Sequence, residues 1–377
     1  MNVYVDNAAT TKLCNPAKNA MSNCYEYFWG NPSSIHKYGR DANEILDASR
    51  KTIAECINAK PEEIYFTSGG TESNNLAINS VKNGHIITTQ FEHDSILNTA
   101  KQFNNTVFLP ISNDGFIELY TLYGTISRDT KFVSVLMANN EIGTIQPIKS
   151  LAEICRYHRI PFHTDAVQAV GHIPVDVQDL GVDMLSASAH KFGGPRGVGF
   201  LYVRSGVNVN PIILGGGQEK GIRSGTENLP GIVGMATALK DSVDNMEKND
   251  EHARTLRDML WDGIKSISGI HLNGNMKHRL SSNLNVSFDD LNGNGEGLLV
   301  LLDQYGIAVS TGSACSSASN EPSHVLKSIG LSDELAKSSI RFSLSHLNTE
   351  KEIEYIIEVL PRVIEFLKEK VECCNQA

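Results

Sequence analysis

The strongest constraint in this chain is an alternation. Through the first two-thirds, short apolar runs of strand length take turns with amphipathic stretches of helix period. The runs include Glu63-Ile64-Tyr65-Phe66, His85-Ile86-Ile87-Thr88, Phe132-Val133-Ser134-Val135-Leu136 and Ile160-Pro161-Phe162-His163. Between the last two, Ile148, Leu151, Ala152, Ile154 and Cys155 fall at the spacing of one helix face. A chain that repeats strand and helix in this way covers its strands with helices, so a mostly parallel sheet is predicted. The pattern changes near residue 250. Residues 240–250 are polar and read as a solvated helix joining two domains. Beyond them, Asn283-Leu284-Asn285-Val286-Ser287-Phe288 and Ser339-Ile340-Arg341-Phe342-Ser343-Leu344 alternate like strands with one buried face. Thr349-Glu350-Lys351-Glu352 has the form of a reciprocal helix cap. Ile353, Ile356, Ile357, Leu360 and Ile364 then form an apolar stripe, with a kink expected at Pro361. The expectation is a large α/β domain followed by a smaller α+β domain.

The formal net charge of −10 argues against a broad nucleic-acid surface. No apolar run approaches the ~18 residues that a membrane span needs. The start, Met1-Asn2-Val3-Tyr4-Val5-Asp6, has neither a basic nor an apolar leader region, so the expected compartment is the cytoplasm. The seven cysteines are scattered, without CxxC spacing, which fits reduced thiols rather than a disulfide framework. No metal site is expected. Most of the cysteines read as small core residues.

Several residues carry chemistry. Asp165 follows the run ending at His163, at a strand's carboxyl end, where open α/β sheets bind ligands. Gln168 lies three residues on, and Lys191 follows in Ser188-Ala189-His190-Lys191, ahead of a glycine-rich stretch. A lysine paired with a carboxylate suits pyridoxal phosphate, which needs an amine for its aldehyde and an acid beside its ring nitrogen. Thr67-Ser68-Gly69-Gly70-Thr71-Glu72-Ser73-Asn74-Asn75 links a strand to a helix and could cradle a phosphate on free N–H groups. It is not a Walker loop; a plain turn is the competing reading. His93, in Phe91-Glu92-His93-Asp94, could stack on a planar cofactor and move protons, or be structural. Cys315 lies in a segment of small residues, 310–319, and reads as an accessible nucleophile or an incidental thiol. Arg341, flanked by Ile340 and Phe342, needs an anion: either a bound carboxylate or a structural partner.

Taken together, nine ordered segments resemble cysteine desulfurases of the NifS/IscS type. They are Val5-Asp6-Asn7-Ala8-Ala9-Thr10-Thr11, Asn31-Pro32-Ser33-Ser34-Ile35-His36, Thr67 to Asn74, Ala138-Asn139-Asn140-Glu141-Ile142-Gly143, His163-Thr164-Asp165-Ala166-Val167-Gln168, Ser188 to Lys191, Arg223-Ser224-Gly225-Thr226-Glu227-Asn228, Gly312-Ser313-Ala314-Cys315 and Ser338 to Ser343. The resemblance implies a pyridoxal-phosphate-dependent transferase of fold type I, aspartate-aminotransferase-like. Its large cofactor domain would span residues 15–250. The small domain would combine residues 1–14 and 251–377 and carry the Cys315 loop. It implies a homodimer. Lys191 would bind the cofactor covalently, Asp165 would pair with the pyridine nitrogen, and Gln168 would bond the phenolic oxygen. His93 would stack on the ring. Gly70, Thr71, Ser188 and His190 would bind phosphate, with Thr226 of the neighbouring subunit. Asn140 would serve the cofactor and, with Arg341, the substrate carboxylate.

The implied activity takes sulfur from L-cysteine. The freed Lys191 amine moves the α-proton, and the Cys315 thiolate attacks the substrate sulfur. Alanine leaves and Cys315 keeps a persulfide for an acceptor, an iron–sulfur scaffold or a thiolation enzyme. Ser345-His346 stands where many relatives have Gly-Arg, and the short end with Cys373 and Cys374 lacks an extended docking tail. A selenocysteine lyase, or an idle trafficking partner that keeps the fold, are the competing readings.

Overall fold

The computed structural model describes residues 1–81, 84–312 and 321–375. Cys315 lies outside them, and so do the side chains of Cys373 and Cys374. The strands in chain order are β1 (Val3–Tyr4), β2 (Ile64–Thr67), β3 (His85–Thr89), β4 (Thr106–Leu109), β5 (Thr130–Ser134), β6 (Phe162–Asp165), β7 (Met184–Ser188), β8 (Gly199–Val203), β9 (Ile270–Leu272), β10 (Asn283–Phe288), β11 (Ile307–Ala308) and β12 (Ser339–Ser343).

Seven of them form one sheet in the order β2-β8-β7-β6-β5-β3-β4. Neighbours are parallel except β8, which is antiparallel to both β2 and β7. Two reversals cancel, so β2, β3, β5, β6 and β7 all end on the same edge. Helices cover the sheet, as its doubly buried strands require. Every residue of β7 and β8 is buried. The helix Ile148–His158 buries Ile148, Leu151, Ala152 and Cys155, the stripe read from its spacing. Two strands start later than their apolar runs. β6 begins at Phe162 because Pro161 has no N–H to give a ladder. β2 begins at Ile64 because Glu63 closes a short turn and caps the Lys60 N–H.

The remainder has its own core. β9, β10 and β12 form an antiparallel sheet, and the helices Met246–Ile264 and Glu350–Asn375 pack on it through Leu256, Leu260, Ile353, Ile356 and Leu360. Thr349 and Glu352 make the expected reciprocal cap, with Thr349 N donating to Glu352 Oε2 at 2.7 Å. The chain start joins this core: β1 pairs with β11, and Val3 and Val5 are buried in it.

Two expectations are corrected. Residues 240–250 are not one helix, because the helix Leu229–Asp244 ends at Asn245 and a new one starts at Met246. β10 and β12 are buried on both faces, not one. Their polar face is covered by the large domain: Asn283 and Asn285 both donate to the Glu141 carbonyl, at 3.0 and 3.2 Å.

Gly199 pairs with Thr67 on one side and Ser188 on the other. A Cβ there would stand 2.5 Å from the Ala187 carbonyl oxygen and 2.7 Å from Gly69 Cα. These are backbone atoms that cannot swing away. Gly199→Ala should therefore cost about 1–3 kcal/mol and lower the melting temperature in calorimetry. An unchanged melting temperature would show that the turn at Gly69 yields freely.

Candidate active site

The common edge of the five strand ends gathers a cavity of about 230 Å³. After β2, Gly69 takes φ 148°, a conformation that favours glycine, and opens the helix Gly70–Ile78. A Cβ on Gly70 would lie 2.6 Å from Val167 Cγ2, so only a glycine lets this turn close on the loop after β6. The first-turn N–H groups at Gly70 and Thr71 have no carbonyl one turn earlier. They face the cavity together with buried Ser188 and with His190. Burial, then the charges of Lys191 and Arg196, push His190 down to about 4, so it is a neutral ring.

Asp165 ends β6 and is buried. Its Oδ1 accepts from Val167 N at 2.9 Å and its Oδ2 from Asn74 Nδ2 at 2.6 Å. Lys191 Nζ donates to the carbonyls of Ala8 at 2.5 Å and Ala9 at 2.9 Å. Gln168 Nε2 reaches the same Ala8 carbonyl at 3.0 Å. His93, after β3, caps the helix Asp94–Ala100, and its Nδ1 takes Ser95 N at 3.1 Å.

Arg341 is only 1 % exposed and lies at the cavity wall. Its Nη1 donates to the Asn140 carbonyl at 2.8 Å and its Nη2 to Asp6 Oδ1 at 2.7 Å, while buried Nε has no partner. The structural-pair alternative for Arg341 is thus partly realised, by an aspartate at the other end of the chain.

The structure brings Gly70, Thr71, His93, Asn140, Asp165, Gln168, Ser188, His190, Lys191 and Arg341 to one cavity. It does not bring Thr226 there: that residue is exposed on the surface. A larger cavity of about 310 Å³ lies between Cys14, His172, Asp241 and His346, on the far side of Lys191. Its carboxylates, Asp241 and Asp250, are only partly buried, and the helix that starts there at Asn15 has a proline in its first turn and no glycine turn before it, so size does not make it the better candidate.

Three cavity residues were missed by sequence reasoning. Asn74, Glu92 and Glu141 sat inside quoted segments but carried no role there. Glu92 is fully buried; its Oε1 accepts from Thr89 Oγ1 at 2.7 Å and Leu136 N at 3.0 Å, while Oε2 has no partner. Burial, chiefly, pushes its carboxyl up to about 8, and the Asp165 charge adds to the rise. Glu141 is raised in the same direction by burial. Its Oε2 accepts from Ser323 Oγ at 2.5 Å.

Residues 3–356 match the family model of class-V aminotransferases. The chain is 47% identical to a cysteine desulfurase IscS of Dictyoglomus turgidum, over 97% of this chain and 95% of that protein. A solved "NifS-like protein" superposes with a TM-score of 0.91 at 38% identity, covering 97% of this chain and all of that one. A structure of SspA in complex with cysteine superposes with a TM-score of 0.80 at 34% identity, covering 91% of this chain and 99% of that one. The chain belongs to the class-V aminotransferase family. Its place in that family is among the cysteine desulfurases of the NifS/IscS type, and the α/β fold expected from that likeness is the one observed.

Glu92 yields a pH prediction. Its folded-state value lies above the unfolded one of roughly 4.3. Stability is therefore complete below about pH 4 and declines as pH rises toward 8, because only the unfolded chain ionises freely. Glu92→Gln removes that decline. Its melting temperature should match the parent's at pH 5 and exceed it by a widening margin up to pH 8. A margin that shrinks with pH would mean that Glu92 is ionised in the folded protein.

Proposed function

We propose that the chain is a pyridoxal-phosphate-dependent cysteine desulfurase that forms L-alanine and a persulfide on Cys315. The observation that carries this reading is the meeting of the Lys191 amine and the Asp165 carboxylate in one cavity beside the start of the helix Gly70–Ile78. The cavity suits the cofactor on three counts. A turn too tight for a Cβ leaves N–H groups for a phosphate, a buried carboxylate faces inward, and an amine stands within reach. When bound, the cofactor supplies an electron sink for the pair left at the substrate α-carbon.

The chain's own residues would do the rest. Lys191 would anchor the cofactor and, once displaced, move the α-proton. Asp165 would keep the ring nitrogen protonated, and Gln168 would bond the phenolic oxygen. Gly70, Thr71, Ser188 and neutral His190 would donate to the phosphate. Asn140 and Arg341 would take the substrate carboxylate; both line the cavity, and the Arg341 guanidinium is the cation at that wall. Cys315 would attack the substrate sulfur as a thiolate. The S–S bond forms as the C–S bond breaks, the C–S pair stays with carbon, and carbon takes a proton before alanine leaves.

Cys315 is three residues from Gly312, a span of about 10 Å at most. Gly312 lies against Glu141, a residue of the cavity wall, and Ser323 bonds the same carboxyl. Both described flanks of the cysteine segment thus start at the site, which supports Cys315 as the sulfur carrier.

A homodimer is supported by large exposed apolar residues. Trp29 stacks on Tyr38 at 4.7 Å, and Ile35 and Leu214 are 91 % and 80 % exposed. Thr226 follows the exposed run 211–217 and would serve the partner's phosphate site from there. Free thiols at Cys14, Cys24, Cys56 and Cys155 suit a reducing compartment such as the cytoplasm. The persulfide would pass to an iron–sulfur scaffold or a thiolation enzyme. No helix among the described residues is long and apolar enough to cross a membrane.

Cys315→Ala should keep the yellow cofactor and respond spectrally to L-cysteine, while alanine release falls about 10³-fold or more. Lys191→Ala should lose both turnover and fixation of the cofactor by borohydride. Alanine and persulfide assays on the two variants check this. Undiminished sulfur release from Cys315→Ala would rule out its role, and faster turnover of L-selenocysteine than of L-cysteine would favour the lyase reading.

A further inference from the structure

We propose that Asn74 and Ser95 are positioning residues that hold His93 as a neutral ring with its proton on Nε2. His93 then presents a hydrogen-bond donor, not an acceptor, to the cavity. The inference rests on the reading above, in which His93 works beside the cofactor.

The assignment follows from a chain of hydrogen bonds with only one consistent direction. Asp165 Oδ2 is a carboxylate oxygen and accepts. The Asn74 side-chain atom 2.6 Å away must therefore be its amide nitrogen. That same nitrogen lies 2.8 Å from Ser95 Oγ, so its second hydrogen goes to the hydroxyl. Asn74 is 1 % exposed and Ser95 8 %, so no bulk water competes for these bonds. Ser95 Oγ, having accepted, has one hydrogen to give, and His93 Nδ1 stands 2.8 Å away. The Ser95 backbone N–H points at the same ring nitrogen, at 3.1 Å. Thr99 Oγ1 bonds the Ser95 carbonyl at 2.8 Å and does not disturb the hydroxyl.

Two donors thus converge on Nδ1, which needs a lone pair there. Protonating Nδ1 would set an N–H against an N–H and an O–H, so both the other tautomer and the imidazolium are disfavoured. The relay also ties His93 to Asp165, on a different strand end. The carboxylate orients the amide, the amide orients the hydroxyl, and the hydroxyl orients the ring. Other titratable groups at the cavity near the ring are Glu92, Asp94, His324 and Lys191.

The test is nitrogen NMR on the cofactor-loaded protein with labelled histidine, recorded without substrate from pH 6 to 9. His93 should show protonated Nε2 and bare Nδ1 throughout. Ser95→Ala keeps the backbone donor but loses the hydroxyl. Its Nδ1 signal should move toward a tautomer average, and kcat should fall about tenfold, with KM for L-cysteine changed less than twofold. Ser95→Thr should restore both. Asn74→Ala should reproduce the His93 shift and also move the visible band of the cofactor, which Ser95→Ala should leave in place. A parent enzyme with Nδ1–H or imidazolium, or a Ser95→Ala signal identical to the parent's, would overturn the proposal. Should the ring show the expected tautomer while no alanine is released from L-cysteine, the functional reading fails and the positioning role survives as ring geometry.

Discussion

The two cores are tied by the chain's first residues, and the site exists only where that tie is made. Val3 and Val5 lie in the small core, and Asn7 bonds the Ser343 carbonyl through both its backbone N–H and its side chain. A few residues on, the carbonyls of Ala8 and Ala9 receive the Lys191 ammonium, and Thr11 bonds the His190 carbonyl. Between these anchors Asp6 meets Arg341. Breaking such a buried pair by removing one partner typically costs about 3–5 kcal/mol, because the other charge is left uncompensated. The segment fixes Arg341 and Lys191 relative to each other although they belong to different sheets, Arg341 on β12 and Lys191 just after β7.

The position of the site follows from sheet topology. β8 runs against both neighbours and brings β2 back into the direction of β3, β5, β6 and β7. Five loops then leave the same edge, carrying Gly70, His93, Asn140, Asp165 and Lys191. Strand ends cannot continue their ladder hydrogen bonds, so the groups beyond them seek partners among loops. Asp165 shows the result: its two oxygens are met by the next turn and by the helix after β2.

Much of this was legible in the sequence. Asp165, Lys191 and the turn before Gly70 stand out because glycines, a strand end and charged residues coincide over a few positions. The cap at Thr349 was readable because both partners lie within four residues. What stayed hidden depends on distant contacts. Asp6 as the partner of Arg341 lies 335 residues away, and nothing local marks it. The polar faces of β10 and β12 looked solvent-exposed because alternation reports which side is apolar, not what covers the other side. There the cover is the loop at Glu141. Nothing local marks Asn74 and Ser95 either: Asn74 bonds Ser95, 21 residues on, and Asp165, 91 residues on.

Burial sorts the acids of the cavity into different tasks. Glu92 and Glu141 lie where water cannot reach, and each is pushed toward its neutral form by that loss of solvation. Asp165 accepts two hydrogen bonds instead. Were all three ionised, the cavity wall would oppose an anionic ligand, and the Lys191 and Arg341 charges would be spent on neutralising it. With both of these acids pushed toward their neutral forms by burial, they oppose those cations and the amide groups at Gly70 and Thr71 less than ionised acids would. The positive potential that remains favours anions in the cavity. The burial of Glu92 and Glu141 thus leaves a cavity that favours anions while Asp165 keeps its place in the wall.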